Sequence, residues 1–133
     1  MKYVLLIYDE ERTWGKLSPA DQQAMMAEYR KFSEEVKASG QYVAGSQLHP
    51  VSAASSVRVR EGKRLVTDGP FAETREQLGG YYLIEAANLD AALDVASKIP
   101  AARLGTVEVR PLINLEGLPE NDPSNAEPAT AQV

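Results

Sequence analysis

His49 and Asp68 are the two residues of this chain whose type and setting suit proton chemistry. His49 is the single histidine, so any imidazole acid, base or ligand role falls to it, and a metal site needing two histidines of one chain is excluded. It stands before Pro50 at the end of an extended stretch, where a loop presents it at a cleft rim. Asp68 opens Asp68-Gly69-Pro70-Phe71. There the aspartate can bond to the backbone two residues on, glycine permits unusual φ, and proline stiffens the exit. Turn formation alone accounts for those residue types. A carboxylate fixed on such a turn beside apolar Phe71 is also placed to accept a proton, or to orient His49 if the two loops meet. Asp68 and His49 are therefore the candidates for catalytic roles, beside the plainer readings of Asp68 as a turn residue and of His49 as an exposed or packed one.

The ligand-binding candidates are Phe71, Arg75, Ser46, Tyr8 and Tyr81. Arg75 lies between Glu73 and Glu76, where it forms surface ion pairs worth about 0 to 1 kcal/mol or grips a ligand carboxylate with two parallel hydrogen bonds. Tyr8 and Tyr81 suit a core as well as a substrate contact, since a phenol at a strand end serves either use. Gly79-Gly80 precedes a strand rather than a helix, so it is no phosphate loop. P-loop and EF-hand patterns are absent, no cysteine is present to act as nucleophile or thiolate ligand, and neither a metal nor a cofactor is expected.

The elements that must position these residues follow from spacing. Tyr3 to Tyr8, a short run of β-formers ended by charge, reads as a strand apolar on both faces. Ser18-Pro19 starts a helix, with Asp21 complementing its positive end. Met25, Tyr29, Phe32 and Val36 form one stripe of it, and it stops near Gly40. Gln41 to Leu48 is extended, and His49-Pro50 closes it. Val57 to Arg60, a turn at Glu61-Gly62 and a return through Leu65-Val66 make a hairpin. Tyr81 to Glu85 is another strand; Asn88 caps a helix carrying Leu89, Ala92, Leu93 and Ala96 and ended by Pro100. Thr106 to Arg110 alternates as the last strand.

The order predicts an α+β fold: a ferredoxin-like βαββαβ sandwich with an inserted β-hairpin. Two helices cover one sheet face. The first strand and the Tyr81 to Ile84 strand are apolar on both sides, and at about 25 cal/mol per Å2 an uncovered face of that kind costs several kcal/mol. With no third long helix to cover it, a second copy of the sheet is expected there, making a homodimer.

The totals are those of one ordinary domain: 133 residues, 44% hydrophobic and 25% charged, with a formal charge of −5. The boundary is drawn at residue 114. Residues 115–133 carry Glu116, Glu120, Asp122 and Glu127 without a lysine or arginine, which marks an acidic, proline-containing tail expected to be mobile or to drape over a neighbour. Removing those four acids from the total of 19 leaves 15 against 14 basic residues. No basic stripe remains, so nucleic acid is not an expected partner. Six apolar residues after Met1-Lys2 are too few for a secretory signal's apolar region of roughly 7 to 15; a cytoplasmic protein without membrane contact is expected.

Asp68 to Ile84, DGPFAETREQLGGYYLI, resembles the YCII-related family, in the branch named for its Asp-Gly-Pro-Phe signature. The resemblance extends to KYVLLIY at Lys2 to Tyr8, VRVREGKRLVTDGPF at Val57 to Phe71 and IPAARLGTVEVRP at Ile99 to Pro111, and spans about residues 1 to 112. It implies a dimeric α+β barrel. For activity it implies less: some relatives are encoded beside or fused to extracytoplasmic-function sigma factors, and a distant one is a dehydrochlorinase of a chlorinated hydroxyquinol. A His-Asp acid/base pair is proposed in the wider group, its histidine early in the first helix, whereas Ser18 to Ser39 contains none. Two functions are expected on these grounds. The first is binding or transformation of a small phenolic or carbonyl compound in an apolar pocket closed by the 46–50 and 68–77 loops, with Asp68 as proton acceptor. The alternative is a non-catalytic dimeric regulatory module linked to a sigma factor.

Overall fold

A computed structural model describes residues 1–113; the tail expected from residue 115 onward lies outside the described residues. The chain runs β1 (Lys2–Asp9), α1 (Glu11–Lys16), α2 (Pro19–Ala38), β2 (Tyr42–Gln47), β3 (Ser55–Arg60), β4 (Lys63–Asp68), β5 (Gln77–Glu85), α3 (Leu89–Ser97) and β6 (Thr106–Pro111), with single 3-10 turns at Val51–Ala53 and Pro100–Arg103. The caps form where their residue types place them. Ser18 Oγ accepts from the Asp21 amide at 3.1 Å ahead of Pro19, and Asn88 Oδ1 accepts from the Ala91 amide at 2.9 Å. Gly40 follows α2 at φ 79°.

Four strands make one antiparallel sheet in the order β2-β5-β1-β6, the ferredoxin-like α+β arrangement. Strand alternation divides the residues of β1. Tyr3, Leu5 and Ile7 face α2 and α3 and join Phe32, Val36, Tyr82, Ile84, Ala92 and Val95 in the core. Val4, Leu6 and Tyr8 point the other way. Their cross-strand partners there include Leu83, Tyr81 and Thr106, and all but Thr106 are half-buried. Among the described residues no helix lies on that second face.

The strands β3 and β4 form a separate two-stranded sheet. Their turn places Glu61 and Gly62 at φ 52° and 73°, the pair of positive angles that matches hairpin twist. One hairpin face carries Val57, Val59 and Val66, exposed by 63%, 62% and 52%.

Two departures from the sequence reading bear on the site. The helix α1 was not expected, and it follows β1 directly. Second, β5 begins at Gln77, four residues ahead of Tyr81, because Gly79-Gly80 belong to the strand rather than leading into it. A Cβ on Gly80 would stand 2.9 Å from the Ser46 carbonyl oxygen, so glycine is what lets β2 pair this closely. Among the described residues no helix is long and apolar enough to cross a membrane.

Candidate functional site

The alternation that sends Leu5 and Ile7 into the core carries on to Asp9, the last residue of β1, and places a carboxylate on the helix side of the sheet. Opposite it the register slips between Ile7 and Tyr8, which pair with Gly80 and Leu78, so Gly79 is the extra residue of a bulge. A Cβ at Gly79 would lie 3.5 Å from Asp9 Oδ1. The bulged glycines thus leave open space beside the carboxylate.

That space is a cavity of about 280 Å3. Ile7, Asp9 and the two glycines are its sheet wall, Met26 and Tyr29 come from α2, and α1 supplies Glu11, Trp14 and Gly15. Gln47 to Pro50, the end of β2 and the loop after it, form the remaining side. Asp9 is half-buried and its pKa is raised above the usual carboxylate range, first by loss of water and then by the nearby carboxylates of Glu11 and Glu76. Burial, with Asp9 as the next cause, also pushes the Tyr29 phenol up. Glu11 is fastened at both ends: its amide donates to Gln77 Oε1 at 3.0 Å, and its Oε1 accepts from the Val51 amide at 2.9 Å. Among the described residues no three histidine, aspartate or glutamate side chains gather closely enough to hold a metal ion.

A raised carboxylate pKa has a definite sign for stability. Between the ordinary aspartate value and the higher folded one, the folded protein binds the proton better than the unfolded chain does, so stability falls as pH rises through that window. Asp9→Asn should therefore melt above wild type at pH 7, with the gap closing below the ordinary carboxylate range. Melts at the two pH values check this; an offset of the same size in both overturns it.

Of the residues singled out from sequence, His49 lines the cavity. Asp68 ends β4, exposed, and is not among the lining residues. Its turn is tied to its own hairpin: the Gly69 amide donates to the Ala54 carbonyl and Ser56 Oγ to the Gly69 carbonyl, both at 2.7 Å. Phe71 is 82% exposed. Arg75 Nε meets Glu10 Oε1 at 2.7 Å, which fixes the start of α1 rather than a ligand. Ser46 and Tyr81 are cross-strand partners, and both share with Tyr8 the sheet face away from the cavity. None of residues 68–77 lines the cavity; α1 closes the side assigned to them.

The residues that sequence reasoning missed are Asp9, Glu11, Trp14, Met26 and Tyr29. For Asp9 the period-two step from Leu5 and Ile7 was the available signal. Tyr29 was read as part of the core stripe, which is half of its role.

Comparison with known proteins places this architecture. An uncharacterized protein of Rhizobium meliloti (strain 1021) is 38% identical over 114 residues, covering 84% of this chain and 92% of that relative. The model of the YCII-related domain matches residues 1–116, which takes in the sheet, its helices, the hairpin and every wall of the cavity, and the chain belongs to that family.

Proposed function

We propose that the cavity binds a small, largely apolar molecule and that Asp9 holds or accepts a proton at the polar end of it. The observation that carries this is a half-buried carboxylate of raised pKa on a cavity wall whose apolar part is Ile7, Trp14, Met26, Leu48 and Pro50, with Glu11, Gln47, His49 and Tyr29 as its other polar members. A phenol hydroxyl or a carbon acid beside a carbonyl group meets that carboxylate suitably, and Asp9 then has the part given to Asp68 on sequence grounds. His49, at the exposed edge, supplies a second polar contact. The volume suits a compound of about one ring, at the small end of ligand sites.

Thermal-shift titration with phenols and carbonyl compounds tests the reading. A ligand at 100 times its dissociation constant adds about 2.7 kcal/mol, and that gain should persist in Asp68→Asn and vanish in Asp9→Asn. The reverse pattern returns the role to Asp68 and overturns the proposal.

We also infer that the second sheet face is covered by another copy of this chain, because Val4, Leu6, Tyr8, Tyr81 and Leu83 would otherwise leave an apolar patch in water. Wild type should sediment as a dimer at micromolar concentration and Leu6→Arg should not; a monomeric wild type removes the dimer. The hairpin favours a second reading, a regulatory module, since its valine face has no cover among the described residues and suits a protein partner.

A further inference from the structure

The charge around the cavity is one-sided. Its wall contains the carboxylates of Asp9 and Glu11, and Glu76 lies near enough to raise the Asp9 pKa. Among the described residues no lysine or arginine lines it. Arg75 is paired with Glu10 at 2.7 Å, its side chain 91% exposed, and Arg103 with Glu28 at 2.6 Å, while Arg12 and Lys16 of α1 are not among the lining residues. Among the described residues His49, in the loop, is the one lining residue able to carry positive charge.

The rest of the wall suits an organic cation. Trp14 and Tyr29 line it, and aromatic rings attract a cation through the negative face of the π system, while Met26 and Leu48 add apolar surface. An anion entering this space meets like charge with His49 alone among the described lining residues to offset its lost water, whereas a protonated amine finds a carboxylate and two aromatic rings.

We infer that the cavity selects a small one-ring compound bearing a protonated amine, its ammonium group on the Asp9 carboxylate and its ring among Trp14, Met26 and Leu48. This rests on the cavity being a ligand site, as proposed above, and specifies the donor that Asp9 receives.

Three probes of nearly equal size separate the charge states: benzylamine, benzyl alcohol and benzoate. Calorimetric titration of the full chain at pH 7 should give benzylamine the tightest binding and benzoate the weakest, the two differing by at least about tenfold. Asp9→Asn should remove the preference of amine over alcohol, the amine losing more affinity than the alcohol. Glu34→Gln, which deletes the same unit of charge from an exposed position on α2, should change none of the three affinities. Benzoate binding as tightly as benzylamine, or an amine preference that survives Asp9→Asn, overturns the inference. Alcohol binding with amine no tighter overturns it while the ligand site stands; failure of all three probes to bind overturns both.

Discussion

Gly105→Ala is expected to lower the melting temperature by roughly 10 °C, the equivalent of about 3 kcal/mol in a domain of this size. Gly105 closes the turn after Pro100–Arg103, donating its amide to the Ala101 carbonyl at 2.7 Å, and brings the chain against the end of β1. A Cβ there would overlap the Tyr8 carbonyl oxygen and stand 3.0 Å from the Asp9 Cα. Those are backbone atoms of a paired central strand, so no side-chain rotation relieves the clash, and relief requires β1 or the turn to shift. The substitution should therefore also weaken ligand binding, because what moves is the residue that carries Asp9. Circular-dichroism melts of the two proteins decide it; a variant within about 2 °C of wild type shows that the turn has slack.

Tyr82→Ala should cost about 3 to 5 kcal/mol, the range for deleting a fully buried aromatic ring, and Tyr82→Phe about 1 kcal/mol. Tyr82 is 1% exposed. Its ring lies edge-on to Phe32 at 5.1 Å and to Tyr42 at 6.3 Å between centroids, and its hydroxyl shares a 2.9 Å hydrogen bond with Ser33 Oγ. Gly45 makes the room, since a Cβ on it would come within 2.9 Å of Tyr82 Cδ1. Burial pushes the phenol up to about 12 from an ordinary value of 10.0. The unfolded chain then loses this proton first, so stability falls as pH rises from 10.0 toward about 12. Tyr82→Phe should flatten that alkaline loss while lowering stability at neutral pH, and denaturant titrations at pH 7 and pH 11 should show both. An equal loss at the two values would mean that the hydroxyl is indifferent to burial.

The architecture was legible because its elements declare themselves locally. YVLLIY reads as a strand apolar on both faces, the stripe from Met25 to Val36 reads as α2, and Glu61-Gly62 reads as a hairpin turn; each stands in the structure where its pattern puts it. The site was harder. Glu11 to Lys16 has no apolar repeat and holds Gly15, so nothing local marks α1 as a helix, which exists through its contacts with residues 51, 75 and 77. Asp9 looked like the charge that ends a strand, although its parity with Ile7 placed it inside. The Asp68 to Phe71 signature was legible as a turn, and the segment after it moors α1: Arg75 holds Glu10 and Gln77 holds the Glu11 amide.

If the cavity takes the ligand proposed above, the mooring of α1 sets how that ligand is exchanged. Six residues cannot sustain a helix in isolation, so Trp14 stays against the cavity only while a handful of polar ties, from Arg75, Gln77, Val51 and Gln22, hold the segment down. Release of those ties is a local melting event, far cheaper than unfolding the sheet beneath. For the ligand proposed above, the dwell time is thus governed by ties whose outer partners, Arg75, Gln77, Val51 and Gln22, do not line the cavity, and salt, which loosens the Glu10 tether, should quicken its escape.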